Sequence, residues 1–366
     1  MKYVYIILLL MLVGCTGSKK EIPVLDLEYA KNHPVDFDLG KYVSKAKYVR
    51  LETKRKCLIG AVNRLMLINN DIYLSAYRCI YKFSSSGRFV RQIGWRGRGP
   101  AELKEVSEMS FNKTNNELCV SEYDAIVKYD TSGSYIGREK LKGMDIASSY
   151  KVDSKGRYFY KKPHAPKENI AAEVYDKDLK LIKRYNNSII RDKGSSFQPR
   201  ITSYDGRFYY NSLVNDTIFS IDEELNKSPD MILDFGKMKL PMNKYSYSEN
   251  YFEKGLFTTG ILVGENVRLI IVDCIKEYEG YFLYFNEQQK LIYPNHINKE
   301  EFLGIKMNGL NWKILDFSNG NIVMSIEPLE LLENRDKIKD ANLRELCNNL
   351  KEEDNPILAI VRIKGK

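Results

Sequence analysis

Histidine, tryptophan and paired cysteine are what this chain has least of. Three histidines and two tryptophans occur among 366 residues. His33, His164 and His296 stand far apart, and the last two sit beside proline. Zinc needs rings that converge to bonds of about 2.0–2.1 Å, so no metal site is expected, His164 and His296 being the weak candidates. No cysteine pair has the CxxC spacing of a zinc ribbon. A Gly-x-Ser-x-Gly elbow is absent, as is a phosphate-binding Gly-Lys-Ser/Thr. Acidic residues are plentiful, but retaining glycoside hydrolysis needs two of them about 5–5.5 Å apart, and no pair stands out. No catalytic residue and no cofactor is therefore assigned.

Long apolar runs are also missing. The one candidate, Tyr3 to Val13 after Lys2, falls short of the roughly 20 residues that cross a bilayer. A basic start, a short apolar core and a small-residue exit describe a secretory signal over residues 1–14. The next residue sharpens this. Leu12-Val13-Gly14-Cys15 looks like a lipobox, with Cys15 as the lipidation site, and Thr16-Gly17-Ser18-Lys19-Lys20 reads as a flexible tether. Residues 15–44 are expected as lipidated tether and N-terminal segment, and Thr16 after the cysteine suits an outer-membrane lipoprotein, its face unresolved. Lysine and arginine exceed aspartate and glutamate by 57 to 48, a formal +9. The excess is spread along the chain, as on a solvated surface, and nucleic acid is not an expected partner. Beyond Cys15, five cysteines remain, an odd number; Cys79, Cys119 and Cys274 lie in apolar runs and read as core.

What the chain does have is a repeat. Ile80-Tyr81-Lys82-Phe83-Ser84-Ser85-Ser86-Gly87 returns 46 positions later as Ile126-Val127-Lys128-Tyr129-Asp130-Thr131-Ser132-Gly133, then at Ala172 and at Ile218. Phe83, Tyr129, Tyr175 and Ile221 are equivalent, and Asp130, Asp176 and Asp222 each open a turn, where an Asp side chain can bond amides two residues on. A fifth copy at Tyr281 is 18 residues late, leaving room for an insertion around 240–255. Each copy follows another hairpin, marked by Asn69-Asn70, by Asp153 to Gly156 or by Tyr204-Asp205-Gly206. Two hairpins per 46 residues make a four-stranded antiparallel sheet, and that period signals a propeller. The fold predicted is all-β: a six-bladed β-propeller over residues 45–366. The last blade runs from Asn311 through Ile357–Ile363 and lacks its fourth strand. Lys47 to Glu52 is expected to supply it and close the ring, removing two exposed edges. Between Glu330 and Glu353, leucines at helical spacing ended by Pro356 predict a small helical insertion.

These residues resemble the six-bladed propeller lipoproteins of Gram-negative gut anaerobes, relatives of the NHL-repeat propellers. The most specific stretch is Gly94-Trp95-Arg96-Gly97-Arg98-Gly99-Pro100-Ala101-Glu102, with Ala101 where the family pattern has glycine; Asp354-Asn355-Pro356 before the last strand is also similar. The resemblance implies a fold and an address, not an activity. The Gly94–Glu102 loop is read two ways. Its amides with Arg96 or Arg98 can hold an anion, or it is a tight crossover needing glycine. Trp95 and some of the 26 tyrosines offer rings suited to sugars or peptides. The leading functional expectation is a non-catalytic binding scaffold of the cell envelope for a protein, peptide or glycan. The alternatives are a channel-centred enzyme, metal-dependent lyase or glycan-active hydrolase, and a subunit of a nutrient-uptake or sensing complex.

Overall fold

Asn69-Asn70, Asp205-Gly206 and Asn319-Gly320 have positive φ at both positions. That is a two-residue type I′ turn, whose twist matches the strands it joins. The computed structural model describes residues 21–122, 124–140, 150–161, 169–186, 201–211, 216–239, 255–273, 278–295 and 303–365. Cys15 and most of the 240–255 stretch lie outside these residues.

Chain order begins with β1 (Val24–Asp26), α1 (Leu27–Asn32) and β2 (Val43–Arg50). Blade 1 is β3 (Arg64–Ile68), β4 (Asp71–Ala76), β5 (Cys79–Phe83) and β6 (Phe89–Ile93). Blade 2 is β7 (Glu108–Asn112), β8 (Glu117–Ser121), β9 (Ala125–Asp130) and β10 (Tyr135–Lys140); blade 3 is β11 (Tyr150–Val152), β12 (Tyr158–Lys161), β13 (Ile170–Tyr175) and β14 (Leu181–Asn186). Blade 4 is β15 (Thr202–Tyr204), β16 (Arg207–Asn211), β17 (Thr217–Ile221) and β18 (Lys227–Asp234); blade 5 is β19 (Phe257–Val263), β20 (Val267–Asp273), β21 (Tyr278–Phe285) and β22 (Lys290–Ile292). Blade 6 is β24 (Leu310–Ser318), β25 (Asn321–Ile326), β26 (Ile357–Ile363) and, outermost, β2, with β23 (Gly304–Met307) paired beside the start of β24 and with α2 (Pro328–Glu333) and α3 (Ala341–Leu346) between β25 and β26. Within each blade the strands form an antiparallel meander, and the molecule is a six-bladed β-propeller.

Each blade is covered on both faces by its neighbours. The buried apolar residues accordingly form six clusters, one per blade junction. Double-sided burial explains why middle strands such as Asp71–Ala76 are apolar at consecutive positions instead of alternating. The Asp-opened turns work as their residue type dictates. Asp176 Oδ1 accepts from the amides of Asp178 and Lys180 at 2.9 and 2.8 Å, and Asp222 Oδ1 from those of Glu224 and Asn226 at 3.1 and 2.8 Å.

Three features differ from the sequence reading. Blade 6 has a further short strand, β23, paired to the first half of β24. The strand laid on β26 is Val43–Arg50, in antiparallel register from Val43↔Ile363 to Arg50↔Ile357, so it starts four residues before Lys47. Most consequential, residues 23–42 are a strap across the outer rim of three blades. β1 joins β18 of blade 4 in parallel. Val35 exchanges backbone hydrogen bonds with Tyr293 and Asn295 of blade 5 at 3.0 and 2.9 Å. On blade 6, Asp38 accepts from the amides of Gly40, Asn308 and Gly309 at 2.7, 2.8 and 3.1 Å. Leu25, Leu27, Ala30, Phe37 and Leu39 anchor the strap as buried residues, each large aliphatic or aromatic side chain contributing about 1.5–3 kcal/mol of burial. Their spacing follows the rim's irregular path, so no helical or strand period reveals them. Asp38→Ala is expected to lower stability by about 1–2 kcal/mol, read as a shifted urea midpoint with an unchanged slope; no shift would mean that the apolar contacts alone hold the strap.

Candidate functional site

The four strands of a blade alternate in direction, so the turns joining first to second strands all emerge on one face. Here that face is called the turn face. The crossovers between blades emerge on the other. The innermost strands ring a central funnel of about 740 Å³. Its rim carries first-turn residues: Asn69 and Asn70 of blade 1, Asn116 of blade 2, Ser154 of blade 3, Asp205 of blade 4 and Asn319 of blade 6. The funnel therefore opens on the turn face.

Blade 5 contributes Leu262 to the described lining. The reason is local. The Tyr204 ring of blade 4 lies over Gly320 of blade 6, so close that a Cβ there would stand 3.1 Å from Cε2. The Glu265 amide of blade 5 donates to the Gly320 carbonyl at 3.3 Å. These contacts draw three turns together, and the opening is weighted toward blades 1–3. Burial pushes the Tyr204 phenol above its usual pKa, with Glu265 adding to the effect.

Deeper in, Lys151 donates to Glu108 Oε1 at 2.9 Å and to the Met109 carbonyl at 3.2 Å, while Arg64 Nε lies 3.7 Å from Glu108 Oε2. Glu108 is 3% exposed. A carboxylate so buried is tolerable because it is ion-paired and hydrogen-bonded. Asp153, on the lining, is spent in the same way: Oδ1 accepts from the Lys155 and Arg157 amides at 2.9 and 2.8 Å, and Oδ2 from Arg157 Nε at 2.6 Å. Such carboxylates hold turns and junctions in place. The rim residues Asn69, Asn70, Lys113, Ser203, Asp205 and Arg207 are exposed to the mouth.

The described residues singled out from sequence are not gathered at this funnel. The Gly94–Glu102 loop is a crossover from blade 1 to blade 2, on the opposite face. Trp95 is 64% exposed there, and Arg96 and Arg98 point to solvent. The loop is filled by its own carboxylate: the Gly99 amide donates to Glu102 Oε2 at 2.7 Å. Gly94 has φ +65°, whereas Gly97 leaves room for the Glu102 carboxylate, which a Cβ there would displace. Tyr129 Oη donates to the Ala101 carbonyl at 2.9 Å, tying the crossover to blade 2. His33 lies on the strap, exposed, its ring stacked on Tyr29 at 4.1 Å. His164 and His296 lie outside the described residues. Among the described residues no cluster of three His, Cys, Asp or Glu side chains is placed to hold a metal ion. The described cysteines Cys57, Cys79, Cys119 and Cys347 are buried free thiols, and Cys274 lies outside.

Sequence reasoning found the rim turns as turns and missed them as a site. The signal was available: once the period is known, every first turn of a blade falls beside the axis.

No curated protein matches the chain. Among solved structures, it is similar to a Bacteroides fragilis protein described as exported, at 19% identity and TM-score 0.68, over 90% of this chain and 98% of that one. At that identity the likeness shows the fold alone. Virginiamycin B lyase from Staphylococcus aureus aligns at 12% identity and TM-score 0.43, over 87% of this chain and 99% of the lyase, too loose a likeness to carry chemistry across. The family model described as a domain of unknown function (DUF4934) matches residues 22–362, and this chain belongs to that family.

Proposed function

We propose that this protein is a non-catalytic binding scaffold of the cell envelope, anchored through lipid on Cys15, that takes its ligand into the funnel on the turn face. The observation that carries the reading is the funnel itself: about 740 Å³, rimmed by exposed polar side chains from five blades, in the size range of small-molecule sites. The carboxylate of Asp153 and the buried Glu108–Lys151 pair are engaged in holding structure, which favours binding over acid–base chemistry. Among the described residues no helix is long and apolar enough to cross a membrane, so attachment would rest on the lipid and the tether.

Two measurements test this. Cys15→Ser is expected to lose incorporation of labelled fatty acid and to move most of the protein from the membrane to the soluble fraction; unchanged fractionation would refute the anchor. A thermal-shift screen of oligosaccharides, short peptides and phosphate compounds is expected to yield at least one stabilising class. That stabilisation should vanish in Ser203→Trp, which fills the mouth, and survive Arg96→Ala. A shift that persists in Ser203→Trp would place the ligand elsewhere.

A further inference from the structure

The chemistry of the funnel wall points to a class of ligand; this step rests on the funnel being the binding site. Three bases and three acids line it: Lys113, Lys151 and Arg207 against Asp153, Asp205 and Asp316. The deeper charges are neutralised within the protein, Lys151 by Glu108 and Asp153 by Arg157. Asp316, 8% exposed, uses Oδ1 to accept from the Phe317 amide at 2.8 Å. What remains at the mouth, Lys113, Arg207 and Asp205, is of mixed sign. The deep charges have already met their partners, and the single net positive charge at the mouth is exposed and screened by solvent, so the wall gives an ionic ligand little selective attraction.

The uncharged part of the wall is of two kinds. Met66 and Phe111, half-buried, present apolar surface inside the funnel. Asn69, Asn70 and Ser203 present neutral donors and acceptors at its edge. Tyr204 sets a half-buried ring on the rim, fixed by its contact with Gly320. A pyranose has the matching anatomy. Its faces are C–H surfaces that stack on rings and aliphatic groups, and its edge is a row of hydroxyls. Each hydroxyl both donates and accepts, as amide and hydroxyl side chains do. The described mouth lies on the turn face, so a chain would enter from there by one terminus.

We infer that the funnel binds the terminal sugars of an uncharged oligosaccharide, inserted from the turn face, with Tyr204 as the stacking platform and Asn69, Asn70 and Ser203 reading hydroxyls at the rim.

The test is calorimetric titration of the purified chain with maltotriose and tri-N-acetylchitotriose, in parallel with trigalacturonate, trialanine and inorganic phosphate. A neutral trisaccharide is expected to bind, Ser203→Trp to abolish that binding, and Asn70→Ala to weaken it about five-fold, the size of one neutral hydrogen bond. Tyr204→Leu should weaken it further while leaving circular dichroism unchanged. Trialanine, trigalacturonate or phosphate binding in place of the neutral sugars, and blocked by Ser203→Trp, would keep the funnel as a site and overturn the glycan assignment. Binding of a sugar that Ser203→Trp leaves intact would overturn the placement. No heat with any of the five would overturn both the assignment and the binding reading beneath it.

Discussion

Asn355→Ala is expected to cost about 3 kcal/mol and to be among the most destabilising single substitutions in the chain. Asn355 is 1% exposed and sits just before the last strand. Its Oδ1 accepts from the Ile59 amide at 2.7 Å, its Nδ2 donates to the Glu52 and Cys57 carbonyls at 2.8 Å each, and its own amide donates to Thr53 Oγ1 at 2.8 Å. One side chain thus satisfies three backbone groups in the loop that follows β2. Removing it leaves the Ile59 amide and the Cys57 carbonyl without that partner, at about 1–3 kcal/mol each before water enters, and leaves the Glu52 carbonyl only the weak Cys57 thiol donor at 3.2 Å. Asn355→Asp should fare no better, because a carboxylate would face two carbonyls where an amide donated. Urea denaturation checks both. A loss below about 1 kcal/mol in each would show that the loop is held by the neighbouring Arg50–Asp354 pair at 2.7 Å instead.

The second large effect is alkaline unfolding. Burial pushes the phenols of Tyr129, Tyr150, Tyr158 and Tyr210 well above their usual pKa and that of Tyr185 up to about 12. All five are at most 5% exposed. Three donate to backbone carbonyls: Tyr129 to Ala101, Tyr150 to Ala125 and Tyr185 to Leu225, at 2.8–2.9 Å. In the unfolded chain a tyrosine ionises near pH 10. Below that value both states keep their protons and pH is without effect. Above it the unfolded state releases protons that the folded state retains, so stability falls by about 1.4 kcal/mol per pH unit per group. Five groups give roughly 7 kcal/mol per unit, comparable with the whole stability of a typical domain, about 5–15 kcal/mol. Cooperative unfolding is expected between about pH 11 and 12, with tyrosinate absorbance and loss of β-sheet circular dichroism rising together. A phenolic titration completed near pH 10 on an intact fold would contradict it.

Much of the fold was legible because the repeat is carried by residues under strong local constraint. Asn69-Asn70 and Asp205-Gly206 need left-handed backbone, Asp176 and Asp222 need a short acceptor at a turn, and Phe83 and Tyr129 need a closed junction. Such demands recur in each blade and print a period. The strap shows the opposite case. Leu25 and Leu27 pack into the junction of blades 4 and 5 and Phe37 into that of blades 5 and 6, so the positions answer to different neighbours and no period results. The funnel was illegible for a third reason. Ser203 and Asn70 look like ordinary turn-edge residues in sequence, and what makes them a rim is the closure of six distant segments around one axis. The Gly94–Glu102 loop attracted notice by composition, but a glycine and arginine content cannot tell an open cradle from one that Glu102 already fills.

The strap also fixes the order in which the molecule would yield to a mechanical load applied at its first residues. Force would reach β1 first, a three-residue parallel contact, then α1, then the Val35 clasp on blade 5, then the Asp38 latch. Only after these had peeled in turn would tension fall on β2, whose pairing with β26 joins the two ends of the propeller. The strap's contacts with blades 4 and 5 thus act as a fuse ahead of the Asp38 latch and the β2–β26 pairing. The rim contacts would give first, while the six-bladed ring and its funnel stay whole.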